Sequence, residues 1–228
     1  MNSFRALLVV LFLPTFVACT NDDSLQTRTA TDSSLGIPSG PYSVDKSHTY
    51  VTFSYLHQGL SYPLLRAKEI DGELELNTGA MEKTRVRIVV DADSIRTNIP
   101  FFDKELASPK FFNAAKFPYI VFVADSYEAI SESEGALSGQ VTIRGITKPL
   151  ILTVRINGAM VNPISSKPAI GISASGYLQR SDFGLDRFIP AVADRVELKI
   201  EIEFEQGSND ESMAAAELAH TLTAGIEQ

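Results

Sequence analysis

Few residues in this chain are equipped for chemistry. The histidines are His48, His57 and His220, and Asp45 stands three residues ahead of the first. Histidine and carboxylate side chains are the usual carriers of protons in catalysis, so Asp45, His48 and His57 are the candidate acid–base groups. If His48 and His57 share one strand, their odd separation sends the two rings to opposite faces, which argues against a common metal ion. Asp91 and Asp93, in "DAD", point the same way along an extended chain. That is a weak signal for a divalent cation, set against the plainer reading of an acidic strand end. In "RSDFGL", Arg180 and Asp182 share an orientation and are placed to form a salt bridge or a turn. There is no nucleophile elbow, phosphate loop or cysteine–histidine constellation. The supply of catalytic groups is thin for an enzyme, and nothing in it calls for a metal or a cofactor.

The elements that must position these residues are strands. "RVELKIEIEFE" places Val196, Leu198, Ile200, Ile202 and Phe204 on one side and charged residues on the other, the period of a strand with one dry face. The same alternation sets Val51, Phe53 and Tyr55 on one face, then Ile70, Leu74 and Leu76, then Val86, Ile88 and Val90. It continues through Phe122, Leu137, Val141, Ile143, Leu150, Leu152, Val154 and Ile156, to Ile170, Ile172, Ala174, Gly176 and Leu178. Turn-forming stretches such as "NTG", "SEG", "RGITKP" and "NG" separate about eight or nine such strands. The fold class is all-β and antiparallel, a sandwich or an up-and-down barrel, between which periodicity does not choose. The period fails in the segment Phe101–Phe117, where Phe101, Phe102, Phe111 and Phe112 bunch together between prolines. One or two short helices are expected there. Their rings, at about 1.5–3 kcal/mol each for full burial, should plug one end of the β structure.

The two ends of the chain read differently. Residues 1–18 have the short charged start and apolar run of a secretory signal peptide, too brief for a spanning helix. The sole cysteine, Cys19, follows the small Ala18, as in bacterial lipoproteins whose cysteine is lipidated; the alternative is a soluble periplasmic protein cut nearby. Residues 19–41 are rich in Ser, Thr, Asp, Gly and Pro, a flexible tether with an r.m.s. span of roughly 25 Å for twenty residues. Residues 42–206 make one domain, and residues 207–228 an acidic, alanine-rich tail, disordered or a short helix. With 28 acidic against 20 basic residues the formal charge is −8, which makes nucleic acid an unnatural partner. Any membrane contact is expected through the N-terminal lipid anchor.

Four stretches carry a resemblance: "YSVDKSHTYVTFSYLHQGLS", "FDKELASPKFFNAAKFPYIVFVADS", "LSGQVTIRGITKPLILTV" and "LQRSDFGL…VADRVELKIEIE". Together they resemble the YceI-like family of bacterial lipid-binding proteins, over Tyr42 to Glu205 and in the same order. His48 matches the family's D-x-x-H histidine and His57 its second histidine. Asp103, Phe111, Phe112 and Pro118 match D…FF…P; Gly145, Thr147, Lys148 and Pro149 match GxTKP; Arg180, Asp182, Phe183 and Gly184 match RSDFG. The resemblance implies a lipocalin-like antiparallel β-barrel that holds a polyisoprenoid or similar long amphiphile and acts by binding, sequestering or shuttling it. An enzyme acting on an isoprenoid or quinone-type lipid, or a barrel packed shut and used as an envelope stress or interaction module, are the rival readings. The expected lipid-facing residues are Val51, Phe53, Tyr55, Val86, Ile88, Phe122, Val141, Ile143, Leu152, Val154, Ile172, Ala174, Gly176, Leu178, Leu198, Ile200 and Ile202. The small residues Ala174, Gly176 and Gly139 mark where the lumen should be open, unless they only fit the barrel's taper. Tyr55, His57 and Arg66 are candidates for the polar mouth. The chain departs from the family's V-x-G-x-F after the second histidine, with Leu65 at the glycine and Ala67 at the phenylalanine. The expected location is the Gram-negative envelope, lipid-anchored through Cys19 and facing the periplasm, with the outer membrane favoured; a homodimer stays open.

Overall fold

A computed structural model describes residues 35–131 and 133–207. The signal peptide, Cys19, most of the expected tether and nearly all of the tail lie outside these residues. Eleven strands form a single antiparallel sheet: β1 (Gly40–Val44), β2 (Tyr50–His57), β3 (Leu64–Ala67), β4 (Ile70–Leu76), β5 (Arg85–Asp91), β6 (Ile95–Arg96), β7 (Tyr119–Ala129), β8 (Glu134–Ile143), β9 (Ile146–Val161), β10 (Pro168–Gln179) and β11 (Val192–Gln206). One helix, α1 (Pro100–Ala107), precedes β7. β11 pairs with β1 as well as with β10, so β1, β4, β5, β7, β8, β9, β10 and β11 close into a ring of eight. This settles the choice left by periodicity: the fold is an up-and-down, lipocalin-like barrel.

The count of eleven reconciles with the eight or nine expected because three staves are bent. β1 runs on into β2, β3 into β4, and β5 into β6, with β2, β3 and β6 pairing beyond the point where β1, β4 and β5 leave off. Each bend has its own polar lock. A 3-10 turn at Lys46–His48 separates β1 from β2, capped by Asp45, whose side chain accepts from Ser47 N–H at 2.8 Å. His48 therefore sits in this turn and not on the strand with His57, a correction to the shared-strand expectation. A second turn at Ala92–Ser94 is capped by Asp91, which accepts from Asp93 N–H at 2.8 Å. Of the two "DAD" carboxylates, that of Asp91 thus serves a turn. Ser94 Oγ then accepts from the backbone N–H groups of Lys68 and Glu69, tying the bend between β3 and β4 to the bend between β5 and β6.

Because β6 has no partner on its far side and β7 starts only at Tyr119, one end of the barrel is left unpaired between them. The segment 97–118 fills that opening. α1 starts with Pro100 in its first turn, where a missing N–H costs nothing, and Asp103 holds the approach by accepting from Thr97 N–H and Oγ1, both at 2.7 Å. Phe102 meets Phe111 edge-to-face with ring centroids 5.8 Å apart, and Phe111 reaches Phe188 at 6.5 Å. The expected plug is there, built of one helix and a turn, although Phe101 points out of it and is exposed. At the opposite end Ile37 is buried and Tyr42 donates through its hydroxyl to Pro38 O at 2.7 Å, so residues assigned to the tether pack onto the barrel before β1 begins.

Candidate functional site: an apolar lumen with a polar mouth

Even-numbered residues of β11 point inward, as their alternation requires: Val196, Ile202 and Phe204 are buried, while Leu198 and Ile200 are only half-buried. Phe53, Ile88, Ile156, Ile172, Ala174 and Leu178 are half-buried too, yet all face the inside of the ring. Inward side chains with accessible surface mean an unfilled interior. A cavity of about 650 Å³ runs through it, within the range of roughly 300–1,000 Å³ common for ligand sites. β10 and β11 stay in register for eleven pairs, from Ala169–Glu205 to Gln179–Arg195. At about 3.3 Å per residue and a tilt near 40°, that gives a lumen length of roughly 27 Å. The shape suits one slender apolar chain.

Of the residues anticipated to face or open the lumen, all line it except Gly176 and Gly139. Gly176 is buried, and a Cβ there would stand 2.7 Å from Leu152 Cδ2 and 3.1 Å from the carbonyl of Ile151, so the neighbouring strand's leucine occupies its space. Gly139 is likewise no window. A Cβ there would lie 2.2 Å from Val123 O, where the register between β7 and β8 shifts. Both glycines answer to close strand approach. Ala174 does line the cavity. So do Leu65 and Ala67, the two departures from the family pattern.

The cavity wall is mostly apolar, with Thr84 and Tyr127 toward the far end and the other polar side chains gathered at the end that α1 plugs. There stand Tyr55, His57, Thr97, Asn98, Arg180 and Arg187. All lining residues that are also exposed (Leu64, Asn98, Ile99, Arg187 and Phe188) belong to this end, which is therefore the mouth. The other end is closed by Leu76, Met81, Ile170 and Phe204, none of them exposed. Arg66 points out of the barrel, 4.5 Å above the Tyr50 ring, and takes no part.

Arg180 does not pair with Asp182. It is only 8% exposed, and its guanidinium donates to three backbone carbonyls: Nε to Ala193 O at 2.9 Å, Nη2 to Val192 O at 2.8 Å, and Nη1 to Leu185 O. Burial lowers the pKa of Arg180, with Asp194, Tyr55 and Asp186 acting the other way. Burial likewise raises that of the Tyr55 phenol, and the Arg180 cation opposes the rise. The rest of "RSDFG" is a turn. Phe183 is buried as its anchor, Gly184 takes the left-handed conformation at φ 68°, and Asp182 stays exposed. Ser181 binds Asp194 through both its N–H (2.8 Å) and its hydroxyl (2.6 Å).

The three candidate acid–base groups are not brought together. His57 lines the mouth, whereas Asp45 and His48 lie outside the lumen. His48 Nδ1 and Asp45 Oδ2 are 2.7 Å apart. Burial alone would raise the Asp45 carboxyl, but the His48 and Ser47 hydrogen bonds outweigh it and hold the carboxyl below its ordinary value. The His48 ring is raised by its bond to Asp45, by that carboxylate's charge and by Glu203. Among the described residues, Asp45, His48 and Glu203 are the one set of metal-ligating types within 4.8 Å of one another, and they lie against solvent. Sequence reasoning missed several mouth and end residues, among them Met81, Asn98, Ile99, Arg187 and Phe188. They sit in turns and on the approach to α1, where no period betrays the face.

A closed antiparallel barrel around an apolar tube with a polar mouth defines a lipocalin-like protein whose interior is shaped for a ligand. Residues 42–204 match the YceI-like domain, and the chain belongs to that family. Protein YceI of Salmonella arizonae and that of Salmonella paratyphi B are each 30% identical to it over 164 residues, covering 71% of this chain and 85% of theirs. Among solved structures, the Campylobacter jejuni YceI protein is 26% identical, with a TM-score of 0.60 over 65% of this chain and 88% of its own. Burkholderia cenocepacia BcnA, at 16% identity and a TM-score of 0.64, shares the fold over 70% of this chain and 98% of its own. So does a polyisoprenoid binding domain from Saccharophagus degradans, at 13% identity and a TM-score of 0.57, covering 73% and 98%.

Proposed function

We propose that this protein binds a polyisoprenoid or a similar long amphiphilic lipid inside the barrel and sequesters or shuttles it in the periplasm. The observation that carries this reading is the lumen: about 650 Å³ of mostly apolar tube whose two arginines, Arg180 and Arg187, both stand at one end. Taking such a chain out of water is favourable by about 0.8 kcal/mol per methylene-sized group. The donor, however, is a bilayer that solvates the chain as well as the lumen does. Net transfer then sits near balance, and shape and head-group contacts decide occupancy. The tail lies toward Met81, and the head lies at the mouth beside Tyr55, His57, Asn98, Arg180 and Arg187. The polyisoprenoid binding domain that shares this fold supports the choice of ligand class. Lipidation at Cys19, in the Gram-negative envelope with the outer membrane favoured, supplies the location, and the segment after it acts as a leash.

The test is native mass spectrometry of the protein after mild extraction, followed by identification of whatever leaves it. One isoprenoid-type lipid per barrel is expected. A chain that arrives empty and takes up no isoprenoid from a dispersed supply would refute the reading. The location has its own test: Cys19→Ser should move the protein from the membrane to the soluble periplasmic fraction, and continued membrane association would rule out Cys19 as the anchor.

A further inference from the structure

A lumen that carries lipid has to meet a bilayer, and the surface around its mouth is unlike the rest of the barrel. Three segments far apart in sequence converge there: the β2–β3 loop, the approach to α1, and the loop before β11. They present Leu60 (82% exposed), Phe101 (78%), Tyr62 (68%), Leu64, Ile99 and Phe188 to solvent. Leu64, Ile99 and Phe188 also line the lumen, so the exposed patch and the interior form one continuous apolar surface. An exposed apolar patch of this extent marks an interaction site, and aromatic rings mixed with aliphatic ones suit the boundary between head groups and acyl chains.

Charge separates this end from the other. Residues 58–64 hold no acidic or basic side chain. Residues 97–118 hold Lys104, Lys110 and Lys116 against Asp103 and Glu105, and residues 184–191 hold Arg187 against Asp186. The mouth is thus slightly cationic on a chain whose net charge is −8. The far end exposes Ile130, Met160, Val161 and Ile164 as well. There, however, Glu75, Glu82, Glu128, Glu134 and Glu205 outnumber Lys83, Arg85, Arg155 and Lys167, and no lumen-lining residue is exposed. An anionic leaflet favours the first end over the second.

We propose that the rim of Leu60, Tyr62, Leu64, Ile99, Phe101 and Phe188 seats in the surface of a lipid bilayer, so that the guest passes between bilayer and lumen without crossing water. This docking rests on the lipid-carrying reading, and it is a second membrane contact, separate from any N-terminal anchor. The chain contains no tryptophan, so a single one reports without background. Leu60→Trp and Phe101→Trp are placed in the exported chain carrying Cys19→Ser, with Ile151→Trp on the barrel wall and Ile164→Trp at the far end as controls. The probe is vesicles of phosphatidylcholine and phosphatidylglycerol with brominated acyl chains. Blue-shifted emission and quenching are expected for the two rim positions alone, strengthened by phosphatidylglycerol and weakened by salt. A chain with both Leu60→Asp and Phe101→Asp should take up lipid from vesicles about tenfold more slowly, since its apolar contact with the interface is lost. Its uptake of the same lipid from an ethanol stock should be unchanged. Equal response at all four positions, or none at the rim, overturns the docking whatever the lumen contains. Rim quenching with a lumen that accepts no lipid from either source instead sinks the lipid-carrying reading.

Discussion

Arg180 shows how a single side chain can organise the mouth. Its three carbonyl partners are Leu185 in the loop that returns from β10 to β11 and Val192 and Ala193 at the start of β11, so one buried cation ties that loop to the strand it feeds. Arg180→Leu would leave those carbonyls without donors. Hydrogen bonds to charged groups contribute about 1.5–3 kcal/mol each, and part of that is recovered by relaxation. A loss of roughly 3 kcal/mol in urea denaturation is expected; a change under about 0.5 kcal/mol would mean that the loop holds itself. Ala174 makes a different prediction. It faces the cavity from a half-buried site, so Ala174→Trp should fill the tube and abolish lipid loading while the domain stays folded. Undiminished loading would place the ligand elsewhere. His48 and Asp45 predict a pH effect. The Asp45 contribution is present at neutral pH and fades as pH falls through its depressed value. That of His48 is complete below its ordinary value near 6.5 and is lost as pH rises through its raised one. Asp45→Asn should therefore bring the His48 ring titration, followed by NMR, back down; an unmoved titration would show that the pair does not interact in solution.

At the scale of elements, small residues mark contact between strands more often than room for a guest. Gly139 allows β8 to pass within reach of the Val123 carbonyl where the β7 register shifts. Overpacking typically costs about 1–3 kcal/mol, so Gly139→Val should destabilise the barrel by that order while leaving lipid stoichiometry in the folded fraction unchanged. Reduced stoichiometry would restore Gly139 as part of the lumen. The β8–β9 hairpin behaves alike. Arg144 and Gly145 both have positive φ (53° and 73°), as a two-residue turn of the primed type demands, and a Cβ on Gly145 would come within 2.9 Å of the Phe117 ring. The matched "GxTKP" stretch thus has a structural cause in its glycine. The bent staves were the least legible elements. β5 and β6 read as a single run, "TRVRIVVDADSI", because a 3-10 turn of three residues perturbs the period too briefly to be noticed.

Over the whole molecule, the lumen couples stability to occupancy. A ligand that binds only the folded barrel adds RT ln(1 + [L]/Kd), about 2.7 kcal/mol at a hundredfold excess over Kd. Stripped protein should therefore melt below the loaded form, and refilling should restore the Tm; identical melting curves would argue that the interior is not where lipid binds. The alternation of apolar residues along the chain determined by itself that this is an antiparallel β protein and which side chains face inward, because side-chain direction in a strand is set locally by the pleat. It also showed the aromatic cluster, which the structure packs across the end that bears the mouth. Only the tertiary structure decided that the sheet closes into a barrel, that its interior is left partly unfilled, and which end is open. Closure and void volume depend on distances between strands remote in sequence, and Leu152 filling the space beside Gly176 while Ala174 borders a cavity follows from the register between β9, β10 and β11, which no local pattern encodes.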